Sequence, residues 1–166
     1  MTAAVVAVVI FAAMLAEAAI SRRHDRLLRA LGAVEPRGDV YAAMQLAYPA
    51  AFVAIVTEGA WRGVPLDRAF AAGLCVFAAA KALKYWAIAS LGSRWTFRVL
   101  VPPGSRRTRT GPYRWLAHPN YAAVAGEIAG AALAMHAVVT GPVAFAGFAL
   151  LMLRRIRVEE AALAGE

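Results

Sequence analysis

Long apolar runs separated by short basic segments constrain this chain more than any other feature. Residues 2–20, 41–61, 69–91 and 121–139 are each about long enough to cross the ~30 Å hydrocarbon core of a bilayer as a helix. A fifth run, 143–158, follows the turn Thr140-Gly141-Pro142, and it completes a crossing only if its helix continues into the charged segment beyond Leu153. Lipid offers the backbone no hydrogen-bond partners, so spans of this length must satisfy themselves as helices. Hydrophobic residues make up 61% of the chain and charged residues 17%, more apolar surface than a soluble domain of 166 residues can hide. The expected fold is therefore all-α. It is a single integral-membrane domain over residues 1–166 with five transmembrane helices, the last two forming a helical hairpin.

The charges orient this layout. Segment 21–40 carries Arg22, Arg23, Arg26, Arg29 and Arg37; segment 92–120 carries Arg94, Arg98, Arg106, Arg107, Arg109 and Arg114; the tail carries Arg154, Arg155 and Arg157. The opposite connections hold only Arg62 and Arg68, beside Glu58 and Asp67. By the positive-inside rule the N-terminus lies outside and the C-terminus in the cytoplasm, and the Ala/Arg/Val-rich composition suits a bacterial inner membrane. No basic residue precedes the run 2–20 and its basic cluster follows it, which reads as a retained span and not a cleavable signal peptide.

Four charges fall inside the spans: Glu17, Lys81, Lys84 and Glu127. Glu17 and Lys84 lie near enough to span ends to snorkel. Lys81 and Glu127 lie deeper, where a charge faces a bundle interior or a polar cavity, and the two could pair. The single Cys75 excludes an internal disulfide and a thiolate cluster, and no His or Cys spacing suggests a metal site. Nothing in the pattern suggests nucleic-acid binding.

The polar residues concentrate at the cytoplasmic side. SRWTFRVLVPPG (93–104) alternates in a strand-like way at Trp95, Phe97, Val99 and Val101 before a Pro-Pro-Gly stop. GPYRWLAHPNY (111–121) then leads into the fourth span, with Pro119 suited to its first turn and His118 just before it, beside free backbone N–H groups. RRIRVEEAAL (154–163) closes the chain, and Arg155 and Glu159 share one helical face. Because the fourth and fifth helices are antiparallel neighbours, His118–Tyr121 and Arg155–Glu159 are expected at the same end.

GPYRWLAHPNY, the hairpin and RRIRVEEAAL together resemble the isoprenylcysteine carboxyl methyltransferase family of integral-membrane enzymes, with the specific likeness covering Trp95–Leu163. The runs SRRHDRLLRALGAVE (21–35) and LKYWAIASLGSRW (83–95) are similar to its small bacterial branch. The resemblance implies S-adenosylmethionine as cofactor, bound by Ser105, Arg106, Arg107, Thr108, Tyr113, His118, Pro119, Asn120, Tyr121 and Glu159. It places Arg155 on the substrate side as the catalytic residue. Glu127 and Trp95 are candidate substrate contacts. Ala117 departs from the pattern, since the family commonly has Arg before the His-Pro.

The implied reaction is methyl transfer to an oxygen, a carboxylate or acidic hydroxyl, of a lipophilic prenyl- or alkyl-bearing substrate, either a small molecule or a prenylated chain. Membrane lipids are the surrounding partners. The chemistry suits the layout, because a polar cofactor arrives from the cytosol and the lipophilic acceptor from the bilayer. The layout leaves no room for a doubly wound sheet, and no G-x-G-x-x-G follows a strand. Three other readings stay open from the residues. One is a phospholipid N-methyltransferase, which Arg155 disfavours because its substrate is a cation. Another is a nicotinamide-dependent sterol-reductase-like enzyme, whose HPNYxGE pattern has an acid where this chain has Val124. The third is a non-enzymatic lipid-binding membrane protein.

Overall fold

The structure, a computed structural model, describes residues 1–36, 38–103 and 108–164, the last three by backbone alone. Five helices account for most of it: α1 (Thr2–Ala30), α2 (Tyr41–Arg62), α3 (Arg68–Leu91), α4 (Pro119–Ala134) and α5 (Thr140–Ala164). Single 3-10 turns at Gly92–Arg94 and Gly111–Arg114 flank the long α3–α4 connection. Two helical segments, Thr2–Ala30 and Arg68–Arg94, are long and apolar enough to cross a membrane.

The helix ends differ from the sequence expectation in instructive ways. α1 runs ten residues past 20, because the Arg-rich segment has no breaker until Gly32 and simply continues the helix. α4 begins at Pro119, whose missing N–H is one the first turn leaves unpaired anyway. It stops at Ala134 and not at 139. There His136 takes a left-handed conformation (φ 52°), Ala137 N–H donates to Ala132 O at 2.9 Å and His136 N–H to Leu133 O at 3.2 Å, the pattern of a Schellman stop. α5 starts at Thr140, three residues earlier than the apolar run, because Glu58 from α2 accepts from the N–H groups of Val139 (3.2 Å) and Thr140 (2.7 Å) and from the Thr140 hydroxyl. That carboxylate satisfies donors a helix start otherwise leaves bare.

The tightest seam joins α3 and α4. At Gly130 a Cβ would lie 2.6 Å from the Phe77 backbone nitrogen, and at Gly73 it would lie 2.3 Å from that of Ala134. Gly126, Gly130 and Ala134, four apart, form a stripe of small residues on which the α3 backbone rests. Behind it a core of Phe52, Ile55, Ile128 and Met135 ties α2 to α4, and Phe148 brings in α5.

The four charges expected inside the spans do not reach for the helix ends. Glu17, Lys84 and Glu127 are fully buried and Lys81 nearly so. Lys81 Nζ lies 2.6 Å from Glu17 and 3.1 Å from Glu127; Lys84 Nζ lies 2.7 Å from Glu17 and 3.1 Å from Glu127. Each ammonium thus bridges both carboxylates, and the four charges sum to zero. Tyr48 of α2 donates its hydroxyl to Glu127 and accepts from Lys84 at 3.2 Å. The Lys81–Glu127 pair allowed by the sequence is present, but as half of a cluster joining four helices.

The strand-like stretch 93–104 forms no strand among the described residues. Its alternation is real, and the partners are mostly side chains. Trp95 O accepts from His24 (2.7 Å), Phe97 N–H donates to Ser21 Oγ (2.8 Å), Val99 N–H donates to Asp39 (3.2 Å), and Val101 makes an isolated antiparallel bridge with Val34. Arg98, between them, pairs with Glu35 at 2.8 Å and stacks over the Tyr41 ring. Burial opposes ionisation of Glu35, but hydrogen bonds from Arg29 and Arg98 outweigh it and hold the carboxyl below its usual range.

Candidate active site

α4 and α5 are antiparallel, so the start of one and the end of the other meet. His118 forms the N-cap of α4, its ring tilted against that of Tyr121 at 5.4 Å. The Tyr121 hydroxyl donates to Glu159 at 2.8 Å and accepts from Arg155 Nε at 3.0 Å. His118 Nδ1 lies 3.7 Å from the same Glu159 oxygen. Arg155 and Glu159, one turn apart, are thus joined through a tyrosine and not to each other, and the second Glu159 oxygen has no partner among the described residues.

Arg155 is buried and almost saturated. Besides Tyr121 it donates to Asp39 at 3.2 Å and to the Phe97 carbonyl, and it faces Met44 Sδ at 4.0 Å. Of five guanidinium N–H groups, three meet oxygen and a fourth meets sulfur, which leaves room for one further acceptor atom.

Two cavities of about 310 Å³ each open on this cluster. The first is polar: Thr108, Tyr113, His118, Asn120 and Glu159 line it, with the 94–102 stretch on one side. The second is apolar, lined by Phe11, Met14 and Leu15 of α1, by Met44 of α2 and by Phe148 of α5. Thr96, Asn120, Tyr121 and Arg155 belong to both and form the wall between them.

The residues expected from the sequence divide accordingly. Thr108, Tyr113, His118, Asn120, Tyr121 and Glu159 are brought together around the polar cavity; buried Pro119 shapes the helix start behind them. Ser105, Arg106 and Arg107 lie outside the described residues. Trp95 faces the polar cavity, not the apolar one, and its indole N–H donates to Asn120 at 3.3 Å. Glu127 faces neither cavity, because its carboxylate is engaged by Lys81, Lys84 and Tyr48. Asp39, Phe97 and Tyr48 belong to the site and were not anticipated. Asp39 sits in a polar loop where no local spacing marks it.

The polar cavity suits a small polar molecule bearing both donors and a charge. It offers one free carboxylate oxygen, and the Thr108 hydroxyl is buried with no hydrogen-bond partner among the described residues. Buried polar groups are normally satisfied, so this hydroxyl is available to hydrogen-bond a molecule in the cavity. Burial, then the nearby Glu159 charge, keeps the Tyr113 phenol protonated far above its usual value, so it is a hydrogen-bond donor at neutral pH.

Comparison with known proteins gives this geometry a context. Residues 71–165 match the model of the isoprenylcysteine carboxyl methyltransferase (ICMT) family. The chain is 31% identical over 148 residues to the uncharacterized protein YpbQ of Bacillus subtilis, covering 89% of this chain and 88% of that one. It is 26% identical over 145 residues to an uncharacterized protein of Haemophilus influenzae, covering 87% and 84%. No solved structure matches it. The matched stretch takes in α4, α5 and nearly all of α3, and so carries both halves of the Tyr121 cluster; on that extent of likeness, the chain belongs to the isoprenylcysteine carboxyl methyltransferase family.

Proposed function

We propose that this protein transfers a methyl group from S-adenosylmethionine to an oxygen, a carboxylate or an acidic hydroxyl, of a lipophilic prenyl- or alkyl-bearing substrate at the cytoplasmic face of a bacterial inner membrane. Family membership makes it a membrane methyltransferase. The observation that carries the finer reading is the pair of cavities, one polar and one apolar, sharing a wall of Thr96, Asn120, Tyr121 and Arg155. Two reactants from different solvents meet only at such a wall.

All five helices span the membrane in this reading, with the N-terminus outside. Val8, Val9, Leu46, Val53, Val143 and Leu150 are exposed, a surface suited to lipid. α4 is the shortest at 16 residues, about 24 Å, and its turn into α5 stays near hydrocarbon depth. The Glu58 carboxylate satisfies the backbone N–H groups exposed there.

The cofactor supplies an electrophilic methyl on a sulfonium, and displacement there depends mainly on alignment. His118, Asn120, Tyr121 and Glu159 hold and orient the cofactor, the free Glu159 oxygen accepting from its amino or hydroxyl donors. Arg155 presents its remaining N–H to the attacking oxygen of the substrate through a charge-assisted hydrogen bond. With one N–H left, Arg155 offers no bidentate fork, which suits a single anionic oxygen. Calorimetric titration of detergent-purified protein with S-adenosylhomocysteine, beside His118→Ala and Glu159→Ala and with NADPH as control, tests the reading. Binding in the micromolar range that both substitutions abolish supports it. Binding of NADPH instead, or silence from both ligands on folded protein, refutes it.

A further inference from the structure

We propose that Asp39 is a positioning residue that holds Arg155 away from Glu159, keeping that carboxylate free for the cofactor. The inference rests on the reading of Glu159 given above, and Asp39 lies outside the stretch that matches the family.

Arg155 and Glu159 are four apart on α5, close enough for the two side chains to meet on one face of the helix. They do not pair. The guanidinium is drawn to the other side, where Asp39 Oδ1 accepts from it at 3.2 Å and the Phe97 carbonyl takes a second bond. Asp39 Oδ2 accepts from Val99 N–H, so one carboxylate fixes both Arg155 and the cavity wall 95–101. The Asp39 side chain is 4% exposed and that of Arg155 6%, so water does not substitute for either partner. Gly38, just before it, takes a left-handed backbone conformation (φ +86°) open to glycine. An Asn at position 39 has one acceptor oxygen for two facing donors, and its NH2 group opposes whichever donor it meets. Arg155, buried and stripped of its counter-charge, then finds its nearest carboxylate one turn away at Glu159.

Sign epistasis in cofactor-product affinity tests this. Asp39→Asn is expected to weaken S-adenosylhomocysteine binding by about tenfold, and Asp39→Asn combined with Arg155→Met to return it to within about threefold of the starting protein, because the competitor for Glu159 is gone. A merely structural role is not rescued by a second truncation. Hydrogen exchange of residues 95–101, which needs no ligand, runs in parallel and is expected to rise in Asp39→Asn while helix content stays constant. An unchanged affinity, or a double variant weaker than the single, overturns the proposal. If the unsubstituted protein does not bind S-adenosylhomocysteine, the cofactor reading fails instead. The exchange arm then decides whether Asp39 holds Arg155 and the wall: unchanged exchange at 95–101 overturns it.

Discussion

Replacing Lys84 by Met removes one ammonium from a cluster in which every charge has two opposite neighbours. Its contacts with Glu17 at 2.7 Å and Glu127 at 3.1 Å are worth roughly 6 and 5 kcal/mol at an effective dielectric of about 20. Much of that attraction is offset by the desolvation Lys84 no longer undergoes, and removing one partner of a buried pair has a net cost of about 3–5 kcal/mol. The structure argues for the upper half of that range, since Lys81 must then serve two buried carboxylates alone while Tyr48 also loses its donor. Lys84→Met with Glu127→Gln restores neutrality, pairing Glu17 with Lys81, and is expected to be less destabilised than Lys84→Met alone. Unfolding of detergent-solubilised protein, followed by helix content, measures all three variants as a double-mutant cycle. Strict additivity of the two single losses would refute the reasoning, as would a silent Lys84→Met, because either means the ammonium is compensated from elsewhere.

Gly130→Ala, with a Cβ 2.6 Å from the Phe77 backbone where ordinary contact begins at 3.4 Å, should destabilise by about 1–3 kcal/mol, while Gly147→Ala, with nothing within 4 Å, should be neutral or stabilising; the same unfolding assay compares them. Glu35, whose carboxyl is held below its usual value in the folded state, contributes stability above pH 4.5 that is lost as pH falls through the folded value. Glu35→Gln should therefore lower stability by about 0.5–1 kcal/mol at pH 7 and by nothing once the wild-type carboxyl is protonated, as thermal midpoints across pH 3–7 would reveal. Tyr121→Phe removes the hydroxyl that joins Arg155 to Glu159, and methyl transfer should fall by at least about tenfold with helix content unchanged; wild-type turnover would count against the shared wall as the reacting position.

The helices were legible in the sequence because apolar run length and breakers act locally. Pro119 marks the start of α4, and the hairpin follows from two runs separated by a turn. The meeting of Tyr121 with Arg155 and Glu159 was also legible, since antiparallel neighbours joined by a short turn bring defined ends together. What escaped depends on the order of helices around the bundle. Glu17 and Lys84 look like snorkelling residues when each span is read alone, and only the placement of α1 beside α3 makes them partners. The alternation of 95–101 signals a strand, but its partners are Ser21, His24 and Asp39, side chains that no strand pattern advertises. Asp39 was missed for the same reason: its two donors come from segments 60 and 116 residues away.

The ion cluster also has a consequence for how the protein is made. Glu17 is synthesised 64 residues before Lys81, so at about 5–20 residues per second α1 waits roughly 3–13 seconds with an unpaired carboxylate. α3, in turn, brings two ammonium groups whose acceptors are one carboxylate already delivered and one, on α4, still to come. If α1 and α3 both span the membrane, as proposed above, the insertion machinery is expected to keep α1 close by and not release it into lipid, so that α3 leaves the ribosome into a partly assembled counter-charge. Membrane integration of α3 should then depend on position 17, a residue on a different helix, and a Glu17 substitution should show its first defect during translation, before any folded site exists to test.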